Sequence, residues 1–139
     1  MTLLQEATET LVNLHHLTMG FSTGSSPDPH SVLGYQSKIT YLHQMLGQEM
    51  ARKFGAKESR YLDRKLSEAK NYIKGRIDLK KNASDSTRDA LIGVEGEYRT
   101  EISSAEEYES YRSMLKSLDH AFSHTMQVVS FIGKSESRS

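Results

Sequence analysis

Apolar side chains recur at steps of three and four along nearly the whole chain, and no stretch alternates with period two. Such a sequence buries its apolar surface as amphipathic helices, not as half-buried strands. In the first segment Leu4, Ala7, Leu11, Leu14, Thr18 and Phe21 make one stripe, predicting a helix from about Thr2 to Met19 with Gly20 as its stop signal. GFSTGSSPDPHS, residues 20–31, gathers Gly, Ser and both prolines and reads as a linker over 21–31. A second helix starts near Ser31 or Val32, with Val32, Tyr35, Ile39, Leu42, Leu46, Met50 and Phe54 on one side. Beyond Gly55 the line resumes at Leu62, Leu66, Ala69, Ile73 and Ile77, displaced by a stutter. Residues 32–81 are therefore one long helix or two helices broken near 55.

KNASDSTRDA, residues 81–90, is polar and turn-prone, and Ser84 or Asp85 is an N-cap candidate for a short helix over 85–102. Ser103 or Ser104 followed by Glu106 and Glu107 resembles a capping box that opens a final helix. Its stripe is Tyr108, Tyr111, Leu115, Leu118, Phe122, Met126, Val129 and Ile132, and the tail GKSESRS reads as frayed. The C-terminal helices thus occupy 85–133. The expected fold is all-α, an extended helical bundle with long coiled-coil-like helices. A length of 139 residues fits a single domain over 1–139. Narrow stripes on long helices would gain burial from other copies, so a homo-oligomer is expected through the stripes of 1–21 and 105–133.

The chain has no Cys, which removes disulfides, thiolate metal sites and cysteine nucleophiles and fits a reducing cytoplasm. No apolar run approaches the ~20 residues of a membrane span, and the N-terminus lacks the pattern of a secretory leader. A cytoplasmic protein without a membrane partner is expected, in the host cytoplasm if phage-encoded. His120 and His124 stand four apart, a metal-ligand spacing, but no third ligand accompanies them. Acids between Glu95 and Glu109 superficially resemble magnesium-holding helices, without the paired motifs those require. No phosphate-binding Gly loop or nucleophile elbow occurs. The reading is non-enzymatic, with no cofactor, no metal and no catalytic residues.

Net charge is zero, yet it is strongly segregated. Residues 1–51 carry −3, 52–81 carry +7 from eleven Lys or Arg against four acids, 82–121 carry −5, and 122–139 carry +1. Blocks of this kind meet either an anionic partner or each other. On a helical projection Leu62, Leu66, Ala69, Ile73 and Ile77 fall within about 80°, and Lys53, Lys57, Arg60 and Arg64 cluster within about 60° on the opposite side. Arg52, Lys70, Lys74 and Lys81 broaden the cationic side, and Tyr61 lies on its flank. Such a row tracks several phosphates of a single strand, with Tyr61 stacking on a base. The nucleic-acid-binding candidates are Arg52, Lys53, Lys57, Arg60, Tyr61, Arg64 and Lys74. The plainer reading is a solvated or helix-paired face, with the acid-rich 82–121 as its partner.

EMARKFGAKESRY, residues 49–61, resembles the basic helix of the small helical recombination mediators of bacteriophages, the UvsY type, with Glu49, Arg52, Lys53 and Lys57 in matching positions. That family's Arg two residues beyond the last Lys is Ser59 here, with Arg60 one further on. The resemblance implies an oligomer that binds single-stranded DNA and partners a recombinase and a single-strand-binding protein. The alternative expectation is a helical protein-interaction module, such as a structural adaptor, inhibitor or secretion-related protein, whose basic face meets an acidic protein partner.

Overall fold

The computed structural model describes residues 1–19 and 27–138, with side chains as far as Lys134. Gly20, Phe21 and most of the expected linker, residues 20–26, lie outside the described residues. The described chain is all-α: α1 Leu3–Thr18, α2 Pro29–Ile77, α3 Ala83–Gly93 and α4 Glu95–Arg138. Two units divide it, one of Met1–Glu49 with Ser110–Ser139 and one of Met50–Glu109.

In unit 1, α1 begins on a capping box: Gln5 N–H donates to Thr2 Oγ1 at 3.2 Å and Thr2 N–H donates to Gln5 Oε1 at 2.9 Å. Two of the amides that a helix start leaves open are thereby satisfied. The inward residues are Ala7, Thr10, Leu14 and Thr18. The two buried hydroxyls donate to carbonyls one turn back, Thr10 to Glu6 at 2.8 Å and Thr18 to Leu14 at 3.0 Å, which removes the cost of burying them. Pro29 opens α2 at a position where its missing N–H is not needed. Asp28 caps that start, accepting from Ser31 Oγ at 2.9 Å. This bond, with others from the His30 and Ser31 amides, holds the Asp28 carboxyl below its ordinary range against the opposing effect of burial.

The core of unit 1 takes Val32, Ile39, Leu42 and Leu46 from α2 and Leu115, Leu118, Val128 and Ile132 from α4. Val32, Val128 and Ile132 form one cluster, against which Leu17 and Val129 pack. Of the stripes expected to join copies of the chain, Ala7, Leu14 and Thr18 of α1 and Leu115, Leu118 and Ile132 of α4 are buried in unit 1, while Met126 of the α4 stripe stays 57% exposed.

Unit 2 is built differently. Its buried residues are Gly75, Ser86, Ala90 and Val94, so little apolar surface is enclosed. α2 is unbroken through Gly55, which settles the choice between one helix and two in favour of one, ending at Ile77 rather than 81. Past its end Lys80 adopts a left-handed backbone, φ 51°, and Lys81 N–H donates back to the Gly75 carbonyl at 2.9 Å.

The cap of α3 is Asn82, whose side chain accepts from the Asp85 amide at 2.7 Å, and not Ser84 or Asp85. The helix expected over 85–102 stops at Gly93. Val94, at φ −110° and ψ 17°, forms the break, and α4 starts at Glu95. Gly93 and Gly96 flank this break and weaken helix there. α4 passes through Ser103 and Ser104 without interruption, so the expected capping box is absent, and it continues to Arg138 through the tail expected to fray.

Candidate functional site

The face of α2 turned toward α3 and α4 in unit 2 carries Lys53, Lys57, Arg64, Asn71 and Gly75. Gly75 packs on Ser86 so closely that a Cβ there would lie 2.9 Å from Ser86 Oγ, and a Cβ on Gly93 would lie 2.7 Å from Asn71 Nδ2. Small residues thus bring α2 and α3 together where larger ones would hold them apart. Ser86 Oγ is buried in this contact and has no hydrogen-bond partner among the described residues.

Along α4 the contact is ionic. Arg64 Nε donates to Glu101 Oε2 and Nη2 donates to Glu101 Oε1 at 3.4 Å, while Nη1 donates to Glu68 Oε2 at 3.2 Å. The Arg64 and Glu101 side chains are only 13% and 17% exposed. The guanidinium also lies against two rings, 5.5 Å from Tyr61 and 5.3 Å from Tyr98. The Glu101 hydrogen bond is the main reason that Arg64 holds its proton beyond the ordinary arginine range, with burial opposing it. Lys53 Nζ pairs with Glu107 at 3.0 Å, and Lys57 Nζ stands 5.0 Å above the Tyr108 ring, which also meets Phe54 at 5.7 Å.

The seven candidates therefore separate. Lys53, Lys57 and Arg64 share one face, as the spacing predicts, and that face is directed at the chain's own acidic helix. Tyr61 is occupied by Arg64, with Lys65 Nζ 5.9 Å from its ring. Arg52, Arg60 and Lys74 are exposed. Arg60 lines a groove with Asp63, Glu97 and Thr100, and Lys74 lines another with Asn71, Leu79 and Asp89. Glu101 and Glu107 stand mid-helix opposite cations; their partners, not a helix dipole, account for their position.

The apolar line of α2 in unit 2 faces away from this contact. Leu62, Leu66, Ile73 and Ile77 are 62%, 57%, 54% and 67% exposed. At 100° per residue their mean direction lies about 180° from that of the ion-pairing face. Hydropathy alone would place this line inside; the structure places the basic row there instead, because Glu68, Glu101 and Glu107 satisfy it and Gly75 permits close approach.

Sequence reading missed one further arrangement, in unit 1. His43 Nε2 lies 2.9 Å from Asp119 Oδ1 on a groove also lined by Phe122 and Ser123. His43 is half-buried and Asp119 exposed, and no hydrogen bond joins Ser123 to them among the described residues. The only signal was the four-residue step from Asp119 to Ser123; nothing linked His43 to it. His120 and His124 are exposed, and no group of three or more His, Asp or Glu among the described residues is placed to hold a metal ion. No described helix is long and apolar enough to cross a membrane.

No family model, no curated protein and no solved structure matches this chain.

Proposed function

We propose that the protein is a non-enzymatic helical interaction module that docks another protein through the exposed apolar face of unit 2. The observation that carries this reading is the Arg64–Glu101 contact. With Lys53–Glu107 it commits much of the basic row to the chain's own acidic helix, while Leu62, Leu66, Ile73 and Ile77 on the opposite side of α2 stay exposed as one apolar row. An acidic outside partner for the basic row is then superfluous. The test is chromatography on immobilised single-stranded DNA and on heparin between low and moderate salt. A module of this kind flows through both, and Lys53→Ala/Lys57→Ala leaves that behaviour unchanged.

A second reading, a phage-type recombination mediator that binds single-stranded DNA, is favoured by one observation. Arg60, Lys70 and Lys74 are exposed cations with no ion pair among the described residues. Retention that falls steeply with salt, and that Arg60→Ala/Lys74→Ala weakens, supports it, since each phosphate contact releases counterions. A recombinase and a single-strand-binding protein would then be the partners to assay.

A further inference from the structure

We infer that unit 2 pairs with a second copy of this chain through the exposed face of α2, the two helices antiparallel about a twofold axis between Ser67 and Glu68. The inference rests on the interaction-module reading and names the partner of its docking face.

The face has the geometry of a coiled-coil seam. Leu62, Leu66, Ala69 and Ile73 step by four, three and four, the d-a-d-a order of a heptad, and all four are exposed, Leu62, Leu66 and Ile73 on the side of α2 away from the ion-pairing face and Ala69 at the rim of a groove it shares with Thr87 and Ala90 of α3. Unit 2 offers this seam no internal cover, since its only buried apolar side chains are Ala90 and Val94. A row of half-exposed Leu and Ile on one helix is the kind of contiguous apolar surface that marks an interaction site. Most described residues of the stripes expected to serve self-association elsewhere, in α1 and in α4 beyond Ser110, are buried or half-buried in unit 1.

The charges beside the seam select the occupant and its direction. In the heptad that places Leu62 at d, Asp63 and Lys70 take successive e positions and Lys65 a g position. A parallel pair in register would set Lys65 against Lys70 of the second copy, like charge against like charge. The antiparallel pair sets Leu62 against Ile73 of the second copy and Leu66 against Ala69 of the second copy. It also brings Asp63 beside Lys70 of the second copy, and the twofold axis repeats each contact, as a closed isologous interface requires. Neither Asp63 nor Lys70 has an ion pair within its own chain among the described residues, so both charges are available for this use.

Because the chain has no Cys, single-cysteine variants report proximity without background. Mixed and oxidised, Leu66→Cys and Ala69→Cys chains cross-link to each other, while each variant alone yields little cross-linked dimer. The reverse pattern overturns the antiparallel pair. Sedimentation of the full chain gives a dimer that Leu66→Lys, a change at an exposed position, converts to monomer with unchanged helix content. Asp63→Lys and Lys70→Asp each weaken the dimer at least about tenfold, and the two together restore it to within about threefold. A wild-type monomer at micromolar concentration, or a dimer indifferent to Leu66→Lys, overturns the inference. The DNA-column readout fails independently: a monomer that flows through sinks the pairing alone, and a dimer retained on DNA sinks the underlying reading alone.

Discussion

Arg64 and Glu101, 37 positions apart in sequence, meet through two hydrogen bonds of one guanidinium fork, with Glu68 on the remaining nitrogen and the rings of Tyr61 and Tyr98 beside it. A planar, five-donor group suits this place where a lysine would not, because lysine offers one point charge and no fork. The contact ties α2 to α4 in a unit that encloses few apolar side chains, so its loss is felt in stability rather than in any binding reaction. Arg64→Met leaves two carboxylates facing each other without a cation, and the expected cost is about 2 kcal/mol. Arg64→Met/Glu101→Leu replaces the pair by apolar groups of similar reach and regains most of that loss. Urea denaturation of the two variants, read at the midpoint with the slope unchanged, checks both.

Two glycines of α2 have opposite reasons to be glycine. A Cβ at Gly55 meets nothing within 4 Å, whereas one at Gly75 meets Ser86 Oγ at 2.9 Å and Ser86 Cα at 3.4 Å. Gly55→Ala therefore removes a helix-weakening residue at no steric cost, and it stabilises by about 1 kcal/mol. Gly75→Ala forces α3 to retreat and destabilises by about 1–3 kcal/mol. Gly75→Ala/Ser86→Gly recovers part of the loss by restoring the space. Thermal melts place Gly55→Ala highest, Gly75→Ala lowest and the double variant between them, and a Gly75→Ala protein as stable as the wild type contradicts the close approach.

Helices were legible in the sequence wherever apolar spacing and a cap agreed. α1 lies within one residue of its expected bounds, since Thr2, the stripe and the following glycine all point to the same segment. The phase of α2 in unit 2 was not legible. Periodicity assumes that the apolar arc faces inward, and here a guanidinium fork, a lysine pair and a glycine contact hold the opposite arc. The signal for that inversion was present as charge, +7 over 52–81 beside −5 over 82–121, but charge blocks do not say which residues meet. The break at Val94 and the absent break at Ser103 were missed for one reason. Local propensity competes with packing, and Ala105 and Tyr108, both half-buried, keep α4 helical through the serines.

Lys80 tests backbone strain in isolation. Its φ of 51° is a conformation that costs an L-residue with a Cβ about 1 kcal/mol or more, and it allows Lys81 N–H to reach the Gly75 carbonyl. Glycine adopts this conformation freely and is the usual residue just past a helix end. Lys80→Gly is expected to stabilise by about 0.5–1 kcal/mol, the relief of strain exceeding the added freedom of the unfolded chain. Lys80→Ala relieves nothing and leaves the melting temperature unchanged. Equal effects of the two substitutions would show that the side chain, not the backbone, matters there.

The Lys81 ammonium donates to Asp89 Oδ2, joining the turn after α2 to the surface of α3. That hydrogen bond is the main cause holding the Asp89 carboxyl below its usual value of 3.8, with burial opposing it and the Lys81 and Arg88 charges adding to it. A carboxyl with a lowered value in the folded state binds its proton more weakly there than in the unfolded chain. Its stabilising effect is therefore complete above 3.8 and disappears as pH falls through the lower folded-state value. Wild type should melt at a higher temperature than Asp89→Asn at neutral pH, with the gap constant down to about pH 5 and closing below about pH 4. Melting curves of the two proteins from neutral to strongly acidic pH measure that gap. A gap that persists unchanged in acid would assign the difference to the shape of the side chain and not to its charge.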